Sequence, residues 1–224
     1  MTKKYVVPWS GGVDSTMVLM QCLEESVVGH VRAISFDLNQ ISERQRRLEH
    51  KARERLKKWM NKTHGYRFSH KTIKVDGDAF RGQCPQPVAW IGLTAACTAG
   101  GETAAFGWLK TDYGSSVIYN LRQAWMFLAC VNGGDQSSYL PFMDQSKAYV
   151  QQQAADRGFL KYCWYCEGTG QGLQAKSNVP CGTCECCLSF KSGEMERELR
   201  WGKGRQVIEG KPKSKKKSKK KKKK

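Results

Sequence analysis

Apolar residues along this chain fall into short blocks whose period alternates between that of a strand and that of a helix. Tyr5, Val6 and Val7 make a brief β-forming run, and Met17, Val18, Leu19, Cys22 and Leu23 then recur at helical spacing. From His30 to Asp37, Val31, Ala33 and Ser35 alternate with Arg32, Ile34 and Phe36, so both faces are mostly apolar. A strand covered on both faces belongs in a parallel sheet. Strand, helix and strand in close succession predict a right-handed βαβ unit.

The next helix is predicted over 42–60. Ser42 is placed to cap it, and Leu48, Ala52, Leu56 and Trp59 form one apolar stripe. Glu43–Arg47, Glu49–Arg53 and Glu54–Lys58 are three pairs at i,i+4. The eight basic residues between Arg44 and Lys58 admit a contact with nucleic acid, but the charge pairing favours a plain solvated helix face. A third strand is expected over 66–75, a loop over 76–87 and a buried helix over 88–100. Then come a core strand over 103–108, a loop over 111–114 and a helix over 120–131. Tyr139 to Phe142 is a short strand end. A last helix is expected to start at an Asp144 cap and to stop at Gly158. The order predicts an α/β fold with a doubly wound, mostly parallel sheet. No long internal repeat is present.

Charge changes this picture only at one end. The net charge is +18, but residues 211–224 hold eleven lysines, which leaves +7 on the body. Such a tail cannot form a core. It is expected to be disordered, serving either as a solubilising segment or in non-specific contact with nucleic acid. Its length of 224 residues suits one domain with an appendage. The expected division is 1–160 for the α/β domain, 161–200 for a C-terminal segment packed on it, and 201–224 for the tail. The longest apolar run, 124–131, is far too short for a bilayer. No signal peptide is visible, and the ten cysteines are not spread as a disulfide framework. A soluble, reduced, cytoplasmic protein with no membrane contact is expected. Cys22, Cys97 and Cys130 lie in apolar segments and read as small buried hydrophobes.

The first chemical signal is Ser10-Gly11-Gly12-Val13-Asp14-Ser15-Thr16, between the first strand and first helix. A glycine-rich loop feeding a helix N-terminus aims several N–H groups and the positive dipole end at one point, which makes an anion site. The plainer reading is a simple turn capped by Asp14 or Ser15. It is not a Walker loop, because no Gly-Lys-Ser/Thr follows. Asp14 has the wrong sign for a phosphate contact, so its expected work is to hold Mg²⁺ or to fix the loop. Lys147, at a helix start where a cation opposes the dipole, is suited to a phosphate. Asp112, after the carboxyl end of a parallel strand, is placed either for a substrate pocket or for a turn.

The second signal is a run of cysteines: Cys163, Cys166, Cys181, Cys184, Cys186 and Cys187. Four thiolates at Cys-x-x-Cys spacing make a closed tetrahedral Zn²⁺ site. Spacing alone permits Cys163, Cys166, Cys181 and Cys184, and equally Cys166, Cys181, Cys184 and Cys187. A redox or persulfide dithiol, or an iron–sulfur cluster, is the rival chemistry.

The loop Ser10 to Ser15 resembles the pyrophosphate loop of the ATP pyrophosphatase (PP-loop) superfamily. With the cysteines, residues 5–190 resemble 7-cyano-7-deazaguanine synthases. The likeness includes Phe36-Asp37-Leu38-Asn39-Gln40, Gly107 with Asp112-Tyr113, Pro141 with Ser146-Lys147-Ala148, and Trp164-Tyr165-Cys166-Glu167-Gly168. The resemblance implies a Rossmann-like fold of the adenine nucleotide α-hydrolase kind. It implies ATP and Mg²⁺ held by Ser10, Gly11, Gly12, Val13, Asp14, Ser15 and Thr16, and Zn²⁺ held by Cys166, Cys181, Cys184 and Cys187. Cys163 and Cys186 would then be bystanders. It further implies a deazaguanine carboxylate and ammonia as substrates, and a homodimer is compatible with it. The chain departs from the family at Pro85 to Ala89, where an Arg-Asn pair is usual. It also departs at Phe190, where an arginine is common, and at Leu38 and Asn39. Two other readings stand beside this one: a PP-loop enzyme that modifies tRNA, and a non-catalytic zinc-dependent nucleic-acid binder.

Overall fold

The computed structural model describes residues 3–27, 30–38, 43–76, 86–133, 137–166 and 180–201. In chain order the elements are β1 (Lys4–Pro8), α1 (Val13–Glu25), β2 (Val31–Leu38), α2 (Glu43–His64), β3 (Ser69–Val75) and α3 (Gln86–Cys97). They continue with β4 (Glu102–Ala105), α4 (Lys110–Val131), β5 (Ser138–Tyr139), α5 (Lys147–Asp156), a 3-10 turn (Leu160–Tyr162) and α6 (Glu185–Trp201). Five strands form one parallel sheet in the order β3-β2-β1-β4-β5. The order turns back at β1, so the crevice of this doubly wound sheet lies between the carboxyl ends of β1 and β4.

Alternation along β1 feeds both sides of the sheet. Tyr5 and Val7 point into a core with Met17, Leu19 and Met20 of α1 and Val150 and Ala154 of α5. Val6 packs on the opposite side with Ile34, Phe36, Trp90 and Leu93. A third cluster under β4 joins Ile91 of α3 to Phe106, Ile118 and Trp125. The most buried large side chain beside the loop is Trp9, at 0 % exposure. Its amide extends the β2 pairing to the Ile34 carbonyl at 2.7 Å. Its indole Nε1 donates to Thr16 Oγ1 at 3.0 Å.

Several local expectations change. Residues 111–114 are not a loop, because α4 already begins at Lys110. The chain breaks helical geometry only at Gly114 (φ 72°, ψ 156°), a conformation open to glycine, and helix resumes after it. Asp144 does not cap α5: Ser146 does, its Oγ accepting the Tyr149 amide at 3.1 Å, while Asp144 pairs with Lys110. Pairing in β4 stops at Ala105, short of Trp108. Of the three cysteines read as buried, Cys22 is, Cys97 is half-buried and Cys130 is exposed. Of the three ion pairs expected on α2, only Glu49–Arg53 forms, with the Arg53 side chain 5 % exposed. The expected Ser42 cap, most of the 76–87 loop and the lysine tail lie outside the described residues. No helix among the described residues is long and apolar enough to cross a membrane.

Candidate functional site

The β1–α1 loop sits at the switch point, and its carbonyls are held from two directions. Arg53 of α2 donates from Nη1 to the Ser10 carbonyl at 3.0 Å. A trans peptide is planar with its C=O and N–H opposed, so the Gly11 N–H is turned away from Arg53. The Trp164 amide donates to the Gly11 carbonyl at 3.1 Å. The Gly12 N–H then donates to Ser10 Oγ at 3.1 Å. Ser15 Oγ accepts the Ser10 amide at 3.3 Å and donates to the Gly12 carbonyl at 3.3 Å. Gly11 has φ 88°, and a Cβ there would meet Arg53 Cγ at 3.0 Å. The positive φ strains any other residue there, and an added Cβ would crowd Arg53.

Gly107, just past β4, closes the other side. A Cβ on it would lie 2.9 Å from the Asp14 carbonyl carbon, so only glycine lets β4 approach the start of α1 this closely. Lys147, the first residue of α5, reaches across to Asp14, with Nζ 2.5 Å from Oδ2. A cation at a helix start opposes the dipole, and here the carboxylate of α1 holds it.

These groups line a cavity of about 510 Å³. Ser10, Gly12, Val13, Asp14, Ser15 and Lys147 form its polar end, and Trp90, Phe106, Trp108, Trp164, Tyr165 and Phe190 its aromatic walls. Tyr165 and Phe190 stack with centroids 3.7 Å apart and planes 3° from parallel. Phe106 and Trp108 also stack, at 4.2 Å. Thr16 does not line the cavity; its hydroxyl is turned to Trp9. Thr111 lines the cavity in the first turn of α4, beside the backbone of Asp112.

The sulfurs of Cys166, Cys181, Cys184 and Cys187 all lie within 4.8 Å of one another. Backbone amides point at them: Cys181 N–H donates to Cys166 Sγ at 3.2 Å and Cys184 N–H to Cys181 Sγ at 3.3 Å. The N–H groups of Thr183 and Cys184 push the Cys181 thiol down to about 5, whereas burial pushes Cys166 and Cys187 up. Four soft donors this close, with amides stabilising thiolate, fit Zn²⁺. Cys163 stands apart, its thiol on the Phe159 carbonyl at 3.8 Å and raised by burial. Cys186 is also outside the four and faces the cavity. Trp164 ties the cluster to the loop: its amide donates to the Gly11 carbonyl and its indole to the Cys166 carbonyl at 2.7 Å.

Sequence reading missed Arg53, Gly107 as a spacer, and the Trp164 amide. Arg53 resembles any other cation of its helix, and a backbone amide leaves no mark in a sequence.

No family model matches the chain, and no curated protein does. A solved 4-thiouridine synthetase, in an RNA complex with bound ATP, shares the fold with TM-score 0.50 and 13 % identity, over 88 % of this chain and 51 % of that one. The chain therefore spans about half the length of that protein. An NMN synthetase from Francisella tularensis aligns with TM-score 0.46 and 11 % identity, over 88 % of this chain and 87 % of that one. The parallel α/β architecture expected from the sequence is thus found both in the strand order and in a solved neighbour.

Proposed function

We propose that this chain is an ATP-dependent enzyme that adenylates a carboxylate on a planar heterocycle. The substrate assigned is 7-carboxy-7-deazaguanine, converted with ammonia to 7-cyano-7-deazaguanine. The observation that carries this reading is the single cavity that joins the Ser10–Ser15 loop to stacked aromatic walls. A phosphate chain and a flat ring can then be held side by side.

The reaction needs activation because a carboxylate does not react with ammonia at neutral pH. Attack of the carboxylate oxygen on the α-phosphorus expels pyrophosphate and leaves an acyl adenylate. Ammonia displaces AMP to give the amide. A second ATP activates the amide oxygen in the same way, and loss of AMP with two protons leaves the nitrile. In this scheme Ser10, Gly12, Ser15 and Lys147, which line the cavity, hold the pyrophosphate end. Asp14 keeps Lys147 in place and is the residue suited to Mg²⁺, which when bound offsets phosphate charge. Zn²⁺ on Cys166, Cys181, Cys184 and Cys187 would supply structure rather than chemistry, pinning Trp164 to the loop. No covalent nucleophile is required.

A second reading, a PP-loop enzyme that modifies RNA, draws on Cys186, whose residue lines the cavity. The 4-thiouridine synthetase that shares this fold was solved with RNA and ATP. The two readings part in one incubation of zinc-loaded protein with ATP, Mg²⁺, ammonia and 7-carboxy-7-deazaguanine, followed by mass spectrometry. Nitrile with AMP and pyrophosphate is the expected result. ATP cleavage that requires added tRNA and yields no nitrile would transfer the assignment to the second reading. No ATP cleavage under either condition would reject both.

A further inference from the structure

We infer that the solvent face of α2 is a docking surface for the sugar–phosphate backbone of a nucleic-acid duplex. Helix α2 carries nine basic and three acidic residues, so nearly all of the +7 charge outside 211–224 is concentrated on it. The structure sorts these residues sharply. Arg53 is buried under the loop, Lys57 pairs with Glu54 at 3.7 Å and Arg46 with Asp37 at 3.6 Å. Arg47, Lys51, Arg55, Lys58 and Lys62 are exposed. Among the described residues none of these five has an ion-pair partner.

Their spacing of four, four, three and four residues sets them in one line along the helix. At 1.5 Å rise per residue the line is about 22 Å long. A row of unpaired cations on a rigid rod matches a duplex, which presents one phosphate charge per about 1.7 Å of axis. The opposite face of α2, with Leu48, Ala52, Leu56 and Met60, is committed to the core. None of the large apolar side chains exposed among the described residues lies on α2. A helix that rests on a membrane needs an apolar face in the lipid, so the chemistry here selects nucleic acid over a vesicle surface. The line starts one turn after Arg44, whose guanidinium lies 5.9 Å from the Trp164 ring at the cavity. A duplex docked on α2 therefore reaches the cavity's edge. This surface holds whether the cavity takes a free base or an RNA.

The test compares two full-length proteins in which the eleven tail lysines are replaced by Gln, so that the tail cannot supply the binding. One keeps α2 and the other carries R47Q, K51Q, R55Q and K58Q. Anisotropy of labelled 20-base-pair RNA and DNA duplexes is measured from 50 to 200 mM salt. We expect the α2 variant to bind at least tenfold more weakly at 50 mM and its salt slope to fall by about 3 to 4. A charge-preserving variant, R47K with K51R, R55K and K58R, should restore both. Circular dichroism checks that each variant is folded. Equal affinity and slope with and without the four charges would overturn the proposal. So would binding to phosphatidylserine vesicles but to neither duplex.

Discussion

Arg53 donates its Nη1 hydrogen to the Ser10 carbonyl at 3.0 Å from a position beneath the loop, nearly out of contact with water. Burial lowers its pKa, and Glu49, 3.5 Å away, opposes that shift. A guanidinium kept there fixes one peptide plane of the loop from below. Arg53→Met removes one partner of a buried pair and is expected to cost about 3 kcal/mol in unfolding free energy. The Kd for ATP should rise about tenfold, while zinc content stays unchanged. Calorimetry of ATP binding checks this, and Arg53→Lys should recover only part of the loss, because a point charge lacks the fork.

Asp14→Ala is expected to abolish ATP cleavage and leave zinc bound, because the carboxylate holds Lys147 at the polar end of the cavity. Unchanged turnover would remove the loop from the assignment. Lys147→Ala should raise the ATP KM, with a smaller effect on stability than Gly107→Ala.

At Gly107 the predicted effect is steric. A methyl group 2.9 Å from the Asp14 backbone forces β4 and α1 apart. A cost of about 1–3 kcal/mol follows, read as a fall in Tm of several degrees. The cavity should loosen with it, since the displaced backbone is the first turn of α1, which carries Asp14 and Ser15.

Metal content separates the cysteines. Cys184→Ser is expected to lose bound zinc and solubility, while Cys186→Ser keeps both, as measured by metal analysis of purified protein. Loss of zinc in the Cys186 variant would overturn the assigned ligand set of Cys166, Cys181, Cys184 and Cys187.

A pH effect should come from His70. Burial, then Lys57 and Arg53, hold its pKa at about 4, below the ordinary 6.5. Ser35 donates its only hydrogen to the Trp9 carbonyl at 2.5 Å, so neutral His70 must donate from Nε2 to Ser35 Oγ at 2.9 Å. Below pH 6.5 the unfolded chain takes up a proton that the folded chain refuses. Stability should therefore fall as pH drops from about 6.5 to about 4 and be flat with respect to this group above. His70→Gln should flatten that slope in denaturant titrations.

Local signals carried the sequence reading where the chemistry is contiguous. Ser10 to Ser15 is one unbroken string, and the closely spaced cysteine pairs lie where turn geometry brings thiols together. Alternation in β2 was enough to announce a parallel sheet, since Val31 to Phe36 leave neither face polar. What failed depended on partners distant in the chain. Asp144 and Ser146 are equally good caps by type, and the choice fell to Ser146 once Lys110 engaged the aspartate. Gly114 suggests a loop over 111–114, but one residue at positive φ interrupts α4 without preventing the helix from resuming. The three charge pairs on α2 were read as if every acid sought the cation four residues on, and the core claimed one pair while two did not form.

The contact between Asp14 and Lys147 joins residues 133 positions apart. During synthesis the loop therefore leaves the ribosome well ahead of the partner that engages Asp14. At 5–20 residues per second the wait for Lys147 is about 7 to 27 seconds. For that interval the nascent chain carries a glycine-rich strand end with neither Lys147 nor the Trp164 amide to shape it. On the function proposed above, a product truncated before residue 147 lacks the cation that Asp14 holds and is expected to be silent toward ATP rather than partly active.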